Sequence, residues 1–416
     1  MPARITAIIP TFNRALLMAE AVHSILAQTR MVTEIIVVDD GSTDNTGEIA
    51  TQLGTIMAGA KHSDSVPAFH LYTTENGGKS RALNLALAKA QGDYIWICND
   101  DDIALPHAVD TLAGLLDADP ALVAVGGSYR RFSVHGKSGK KTEYGPGYWP
   151  DLSSGTALRH ILEDLFVFQN ATMVRKTAYE AVGPFREDLR HSLDYDMIVR
   201  LACAGPIKLT DDPVFLQRKH DGKGKSRGSR EVEASSKKTW KKTDKDVFAV
   251  FREKIPLAMY EGMYRAEDPK VVRRAALLQR AAVFARRADW DMALRDFADA
   301  AKLAPGYRLS EMEQTICQRA LAGKYGCKEA LTSEIRRKLR DVAGMSASGG
   351  SITRALSRGI AWRGKVAMRE GRISEAGSVA TFVSALKFAH SGHGRGDRPG
   401  PVFENDQLPE PTYRII

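Results

Sequence analysis

The chain has 416 residues, 44% of them hydrophobic and 26% charged, and a formal net charge of +9. This length exceeds the usual single-domain size and predicts two domains. No apolar run reaches the roughly 18 residues of a membrane-spanning helix, and the opening "MPARITAIIP" lacks the basic start and long apolar stretch of a secretory leader. A cytoplasmic protein is expected.

The first strand-like run is Arg4 to Ile9, followed by "IIPTFNR" (Ile8 to Arg14) and an amphipathic segment from Arg14 to Ala27. No glycine fingerprint follows this strand, so a dinucleotide site of the usual kind is not expected. A second run, Glu34 to Val38, leads into "VVDDGSTD", where Asp39 and Asp40 end the strand and Ser42 or Thr43 suits the cap of the next helix. Alternating strands and helices over residues 1–222 predict an α/β domain with a largely parallel sheet. Ligands bind at the carboxyl ends of such strands.

In "TENGGKSRALN", Gly77 and Gly78 let the backbone approach a ligand, and Arg81 opens an amphipathic helix at a place suited to phosphate. The third strand-like run, Asp93 to Cys98, ends in "NDDD", Asn99 to Asp102. Three adjacent acids repel one another unless they are solvated or share a cation. In extended chain Asp100 and Asp102 face one side and Asn99 and Asp101 the other, so the cluster is not a simple cage. Asp102 can cap a helix starting near Ile103, which leaves two acids unexplained. A hard divalent cation, Mg²⁺ or Mn²⁺, held by one or two carboxylates and bridging a diphosphate, would neutralise them.

Arg218 to Lys245 carries eleven Lys or Arg against four Asp or Glu, a net of +7. Residues 223–245 therefore read as a basic, flexible loop and linker, suited to closing over phosphate or to peripheral contact with an anionic membrane; nucleic acid is not expected. Beyond it, 246–390 reads as all-helical, with a tetratricopeptide-like hairpin near 274–305, and 391–416 as a disordered tail. Cys98, Cys203, Cys317 and Cys327 lack the spacing of zinc sites and read as free thiols.

Together, "IIPTFNR", "EIIVVDDGSTDNT" and "NGGKSRALNLALAKAQGDYIWICNDDD" resemble the nucleotide-sugar half of the family 2 glycosyltransferases, which have the GT-A fold. The resemblance implies a Rossmann-like mixed sheet flanked by helices. It implies a donor pocket formed by Pro10, Thr11, Arg14, Asp39, Asp40, Lys79, Arg81 and Asp100, and a metal, Mn²⁺ or Mg²⁺, on Asp101. "NATMVRKTAYEAVGPFREDLRHSLDYDMIVRLACAG" resembles the acceptor half, with Asp194 in the place of the catalytic base and Asp196 beside it. "LQRKHDGKGKS" resembles the family's Arg-x-His pattern, which makes His220 a second metal or diphosphate contact.

The implied activity is inverting, metal-dependent transfer of a hexosyl group from a nucleotide-diphosphate sugar to a glycan or lipid-linked acceptor, in cell-surface polysaccharide or glycolipid assembly. A non-catalytic sugar-nucleotide-binding scaffold and a sugar nucleotidyltransferase are the alternatives. Three departures stand out: Asn99 where many relatives have the first acid of the motif, Leu193 where an acid often precedes the base, and Gln217 where an aromatic often precedes the Arg-x-His. No Gln-x-x-Arg-Trp stretch is present, which argues against a processive synthase.

Overall fold

Short β-branched runs alternating with amphipathic helices build a mixed sheet in the computed structural model, which describes residues 2–59, 66–135, 139–153, 155–219, 231–387 and 400–403. The chain divides into two units, one holding Met1–Leu152 and Leu165–Ser236, the other Ser153–Asp164 and Lys237–Pro411.

The strands of the first unit are β1 (Ile5–Thr11), β2 (Glu34–Asp39), β3 (Ala68–Thr73), β4 (Tyr94–Ile97), β5 (Ile103–Ala104), β6 (Ala124–His135), β7 (Lys140–Pro146), β8 (Thr172–Arg175) and β9 (Ile207–Arg218). Among the described residues they lie in the order β3-β2-β1-β4-β8-β6-β9-β5, with β7 on β6. β1 pairs in parallel with β2 and β4, and β2 with β3, whereas β8 runs antiparallel to β4 and β6. Every residue of β1, β2 and β4 is buried, as continuous apolar runs covered on both faces require. β3 is only half-buried, which is why its sequence announces no strand.

Helices α1 (Ala15–Leu26), α2 (Thr46–Gly59), α3 (Lys79–Lys89) and α4 (Ala108–Ala118) belong to this unit; α5 (Ala157–Glu163) belongs to the other. Chain then returns to the first unit with α6 (Lys176–Val182) and α7 (Leu193–Ala204). The helix expected from Ile103 is absent. Ile103 and Ala104 instead pair with Leu216 and Phe215 of β9, and α4 begins only at Ala108, after His107. The strand pairing takes up the backbone groups that a first helical turn would have used, so Asp102 is not a cap.

The second unit is helical: α5, then α8 (Glu231–Lys254) from Lys237 onward, α9 (Leu257–Glu261), α10 (Pro269–Arg286), α11 (Trp290–Lys302), α12 (Glu311–Ala320), α13 (Cys327–Ala330), α14 (Ser333–Met345), α15 (Ala347–Arg369) and α16 (Ile373–Lys387). The basic segment expected as a loop to residue 245 is helical from Glu231. No Gly or Pro interrupts it there, and Val247, Phe248 and Phe251 give it an apolar stripe that is buried in the second unit. Residues 220–230 and the tail outside 400–403 lie beyond the described residues.

The core of the second unit holds ion pairs. Arg274 and Glu313, both fully buried, meet at 2.7 Å. Glu163 accepts from Gln279 Nε2 (2.8 Å) and Arg319 Nε (2.9 Å), and its carbonyl accepts from Arg286 Nε (2.7 Å). No helix among the described residues is long and apolar enough to cross a membrane.

Candidate active site

The parallel strands end at one edge of the sheet. There the backbone continues the ladder past the strands: Asp40 N donates to the Thr11 carbonyl (2.9 Å), Thr74 N to that of Asp39 (2.9 Å), and Cys98 N to that of Ile8 (2.8 Å). The β1 and β2 loops are tied by Asn13, whose Oδ1 accepts from Thr43 N (2.7 Å) and whose N–H donates to Ser42 Oγ (2.8 Å). Ser42 thus serves that loop rather than a helix cap, and Asp44 receives Thr46 N at the start of α2.

The two acids of β2 have different work. Asp39 accepts from Ser42 N (2.9 Å), whereas both oxygens of Asp40 are taken by Gly77 N and Gly78 N, each at 2.8 Å. Asp40 therefore holds the Gly-Gly turn that starts α3. Gly78 has φ +89°, a conformation glycine adopts at little cost, and a Cβ on Gly77 would lie 2.4 Å from Arg81 Cδ. The Arg81 side chain lies back over that turn, exposed to solvent. Pro10 is buried within β1.

The three adjacent acids part company at the end of β4. Asp100 receives Thr11 Oγ1 (2.9 Å) and Arg14 Nη1 (2.8 Å), and the same Arg14 nitrogen reaches Asp101 Oδ2 at 3.0 Å. The cation between the acids is thus the Arg14 guanidinium. Asp102 faces inward and receives Asn170 Nδ2 (2.6 Å), Arg218 N (2.8 Å) and Asn99 Nδ2 (3.2 Å). Burial, with the neighbouring Asp101, pushes its carboxyl up to about 6, against the hydrogen bonds it accepts. Burial likewise raises Asp100 despite Arg14, while Asp100 and Asp101 raise Arg14 although its own burial opposes this.

Asn99 has a role an aspartate could not fill. Its Oδ1 accepts from Lys79 Nζ (2.8 Å) while its Nδ2 donates to Asp102. A carboxylate there would turn that second contact into a repulsion.

Asp194 is the second residue of α7, inside the helix; Ser192 occupies the cap position in a left-handed conformation (φ 58°) without a side-chain cap bond. Capping therefore does not account for Asp194. Its carboxyl is raised by burial, with Lys79 acting in the opposite direction, so Lys79 is felt by both Asp194 and Asp102. A reciprocal pair brings them together: Asn84 Nδ2 donates to the Phe185 carbonyl (2.9 Å) and Phe185 N to Asn84 Oδ1 (2.8 Å), pinning α3 to the loop that enters α7. Asp196, 1% exposed, pairs with Arg200 at 2.8 Å and supports the helix.

Two further residues at this edge have partners that sequence reasoning did not give. Asn170, in the 3-10 turn Gln169–Ala171 before β8, holds Asp102 through Nδ2, the Asn99 N–H through Oδ1 (2.9 Å) and Trp96 Nε1 through its carbonyl (2.8 Å). Arg218, at the end of β9, donates Nε to the Asp101 carbonyl (2.8 Å), pairs with Glu20, and lies 4.6 Å from the Phe132 ring centroid. Position in the Arg-x-His pattern marked Arg218; nothing marked Asn170. His220 lies outside the described residues.

No group of three or more His, Cys, Asp or Glu side chains converges as a cation site among the described residues. Asp101 offers one carboxylate at the open edge. That suits Mg²⁺ or Mn²⁺ carrying its own waters and a diphosphate, which needs only one or two protein carboxylates.

Residues 6–183 match the model of glycosyl transferase family 2. Over this segment the chain is similar to the family 2 glycosyltransferases. Its mixed sheet with flanking helices is the GT-A arrangement. Over 233 residues the chain is 32% identical to an uncharacterised glycosyltransferase of Rickettsia conorii, covering 55% of this chain and 36% of the relative. Over 201 residues it is 29% identical to the chondroitin synthase of Pasteurella multocida, covering 48% of this chain and 19% of that one. The chain thus spans well under half the length of these relatives. Solved structures resemble it more distantly. For S. aureus TarS 1–349 in complex with UDP-GlcNAc the TM-score is 0.47 at 15% identity, over 86% of this chain and 91% of that one. For the mannosyltransferase PcManGT of Pyrobaculum calidifontis in complex with GDP-Man and Mn²⁺ it is 0.41 at 18%, over 94% and 88%.

Proposed function

We propose that this chain moves a hexosyl group from a nucleotide-diphosphate sugar to an acceptor hydroxyl with inversion at the anomeric carbon. The observation that carries this is the pairing, through Lys79, of an acid cluster at the strand ends with a carboxyl on α7 whose affinity for protons burial has increased. Asp194 takes the acceptor proton as the new C1–O bond forms and the C1–O bond to the diphosphate breaks. The raised carboxyl is a better base than a fully exposed aspartate, and Asp194 is only half-buried, so an acceptor hydroxyl can reach it.

In the donor half, Thr11, Arg14 and Asp39 line the nucleoside side, Asp40 presents the Gly77–Gly78 turn to the phosphates, and Arg14, Lys79 and Arg81 supply positive charge where the leaving group gains negative charge. Asp100 meets the ribose or sugar. Asp101, with His220, would hold a divalent cation, which when bound supplies Lewis-acid stabilisation of the diphosphate.

Similarity to a chondroitin synthase supports a role in polysaccharide or glycolipid assembly, and the basic segment 218–245 supports peripheral attraction to an anionic membrane. The direct test of inversion is to follow product by proton NMR. The first anomer formed should have the configuration opposite to the donor; retention would overturn the single-displacement mechanism.

A further inference from the structure

Strand β9 carries positive charge that the acid cluster does not take up. Arg218 N donates to Asp102 Oδ1, and the next residue, Lys219, extends the ladder by donating its N–H to the Phe132 carbonyl of β6 (2.7 Å). In the parallel pairing of β6 with β9, Tyr129 lies opposite Phe215, Arg131 opposite Gln217 and Phe132 opposite Arg218. Side chains alternate between faces along a strand, so Tyr129, Arg131, Phe215, Gln217 and Lys219 share one face and Arg218 takes the other. The contacts agree: the Tyr129 and Phe215 rings stack with centroids 5.4 Å apart, whereas Arg218 lies over Phe132. This face is closed at Tyr129, which is 3% exposed, and opens toward Arg131 and Lys219.

Two cations meet at the opening with no anion of their own. Arg131 gives Nη2 to the Tyr129 hydroxyl (3.2 Å), which leaves most of its five N–H donors unspent. Its neighbour Arg130 pairs with Glu143 at 3.8 Å, but among the described residues neither Arg131 nor Lys219 forms an ion pair. Asp102 is close by, yet it already accepts from Asn170, Asn99 and Arg218. Burial and the repulsion of Arg131 both act against the charge on Lys219, and Asp102 acts for it. On the adjoining strand β7, Tyr144 is 55% exposed, and its hydroxyl is bonded to Ser133 Oγ (2.6 Å), two residues past Arg131. A ring held in this way offers a flat apolar surface beside the two charges.

We propose that the acceptor is a sugar bearing an anionic group, a carboxylate or a phosphate, which Arg131 and Lys219 receive while the Tyr144 ring meets a face of the sugar. This names the acceptor class for the transferase reading and rests on that reading. Charge-assisted bonds are the strong ones, and the planar fork of Arg131 fits either anion. Gln217, on the same face, supplies an amide for a hydroxyl.

The test is calorimetric titration of the full chain at low salt with methyl β-D-glucuronide, glucose 6-phosphate and methyl β-D-glucoside. At least one of the two charged sugars should bind at least tenfold more tightly than the neutral glucoside, and the tighter of them identifies the anion. Lys219→Gln, at an exposed position, should cut that preference at least threefold, and Arg131→Gln/Lys219→Gln should abolish it. Binding of nucleoside diphosphates with Mn²⁺ should be unchanged in both variants. Equal binding of charged and neutral sugars by the wild type, or a preference that survives both substitutions, would overturn the proposal. So would an equal loss of nucleoside diphosphate binding, which would put the two cations on the leaving group instead. Charged sugars bound as expected by a wild type that binds no nucleoside diphosphate would sink the transferase reading and leave the anionic-sugar site standing.

Discussion

The acids at the edge of the sheet and the acid at the centre of the helical unit are equally hidden from water, yet they titrate in opposite directions. Asp100 is 5% exposed, Asp102 7% and Glu163 5%. Burial raises the first two, Asp102 to about 6, whereas Glu163 falls to about 2 because Arg319, Arg159 and Arg286 outweigh the same burial. Glu163 has three cations whose attraction outweighs its burial; Asp102 has hydrogen bonds, a neighbouring acid and the charges of Lys79, Arg14 and Lys219, which together do not. A carboxylate that exists to hold the fold is neutralised within the fold. One left under-neutralised at a strand end is a candidate for receiving charge from outside, as the proposed function requires.

Substitutions sharpen this contrast, starting from the largest effect. Asp194→Asn should lower turnover by between about a hundredfold and ten-thousandfold, the range general-base catalysis contributes, with nucleotide-sugar affinity nearly unchanged in a binding titration. Glu163→Gln should cost about 3 kcal/mol of stability at pH 7, from the distance between 4.5 and about 2. Because the folded value is the lower one, that stabilisation is complete above pH 4.5 and is lost as pH falls toward 2, so denaturant unfolding of the variant should be flatter across this window.

Asp40→Asn replaces one accepting oxygen with a donor facing a backbone N–H. It should cost about 2 kcal/mol and read mainly as a rise in donor KM, because the Gly77–Gly78 turn loosens. Asp102→Asn should have the smallest effect and the opposite sign. Its raised carboxyl makes the wild type lose stability as pH rises from 3.8 through about 6. The amide escapes that penalty but gives up an accepted hydrogen bond, leaving a gain of about 1 kcal/mol at pH 8 by chemical unfolding.

The strands that carry the site were legible because buried parallel strands are continuous apolar runs, and β1, β2 and β4 sit within a residue or two of where those runs place them. β3 and β5 were not. The one is half-exposed, and the other is two residues whose pairing with β9 depends on partners more than a hundred positions away. The helix start at Glu231 was hidden by a basic composition that reads as loop until the buried Phe248 and Phe251 are seen.

At the site, residue types pointed to the acids but not to their separate partners. Arg14 between Asp100 and Asp101, and Asn170 under Asp102, are contacts across 68 or more positions of chain that no local pattern encodes. Asn99 stands where the family resemblance implies an acid, and only the structure shows it accepting from Lys79 while donating to Asp102.

That the under-neutralised acids await a nucleotide diphosphate with its cation is tested most directly by thermal unfolding of the wild type and Asp101→Asn against a panel of nucleotide-diphosphate sugars, with and without Mn²⁺. At one hundred times its Kd a matching donor supplies about 2.7 kcal/mol, so one member of the panel with Mn²⁺ should raise the wild-type Tm by roughly 5 °C or more and the variant far less. No shift with any donor, or an equal shift in Asp101→Asn, would contradict it.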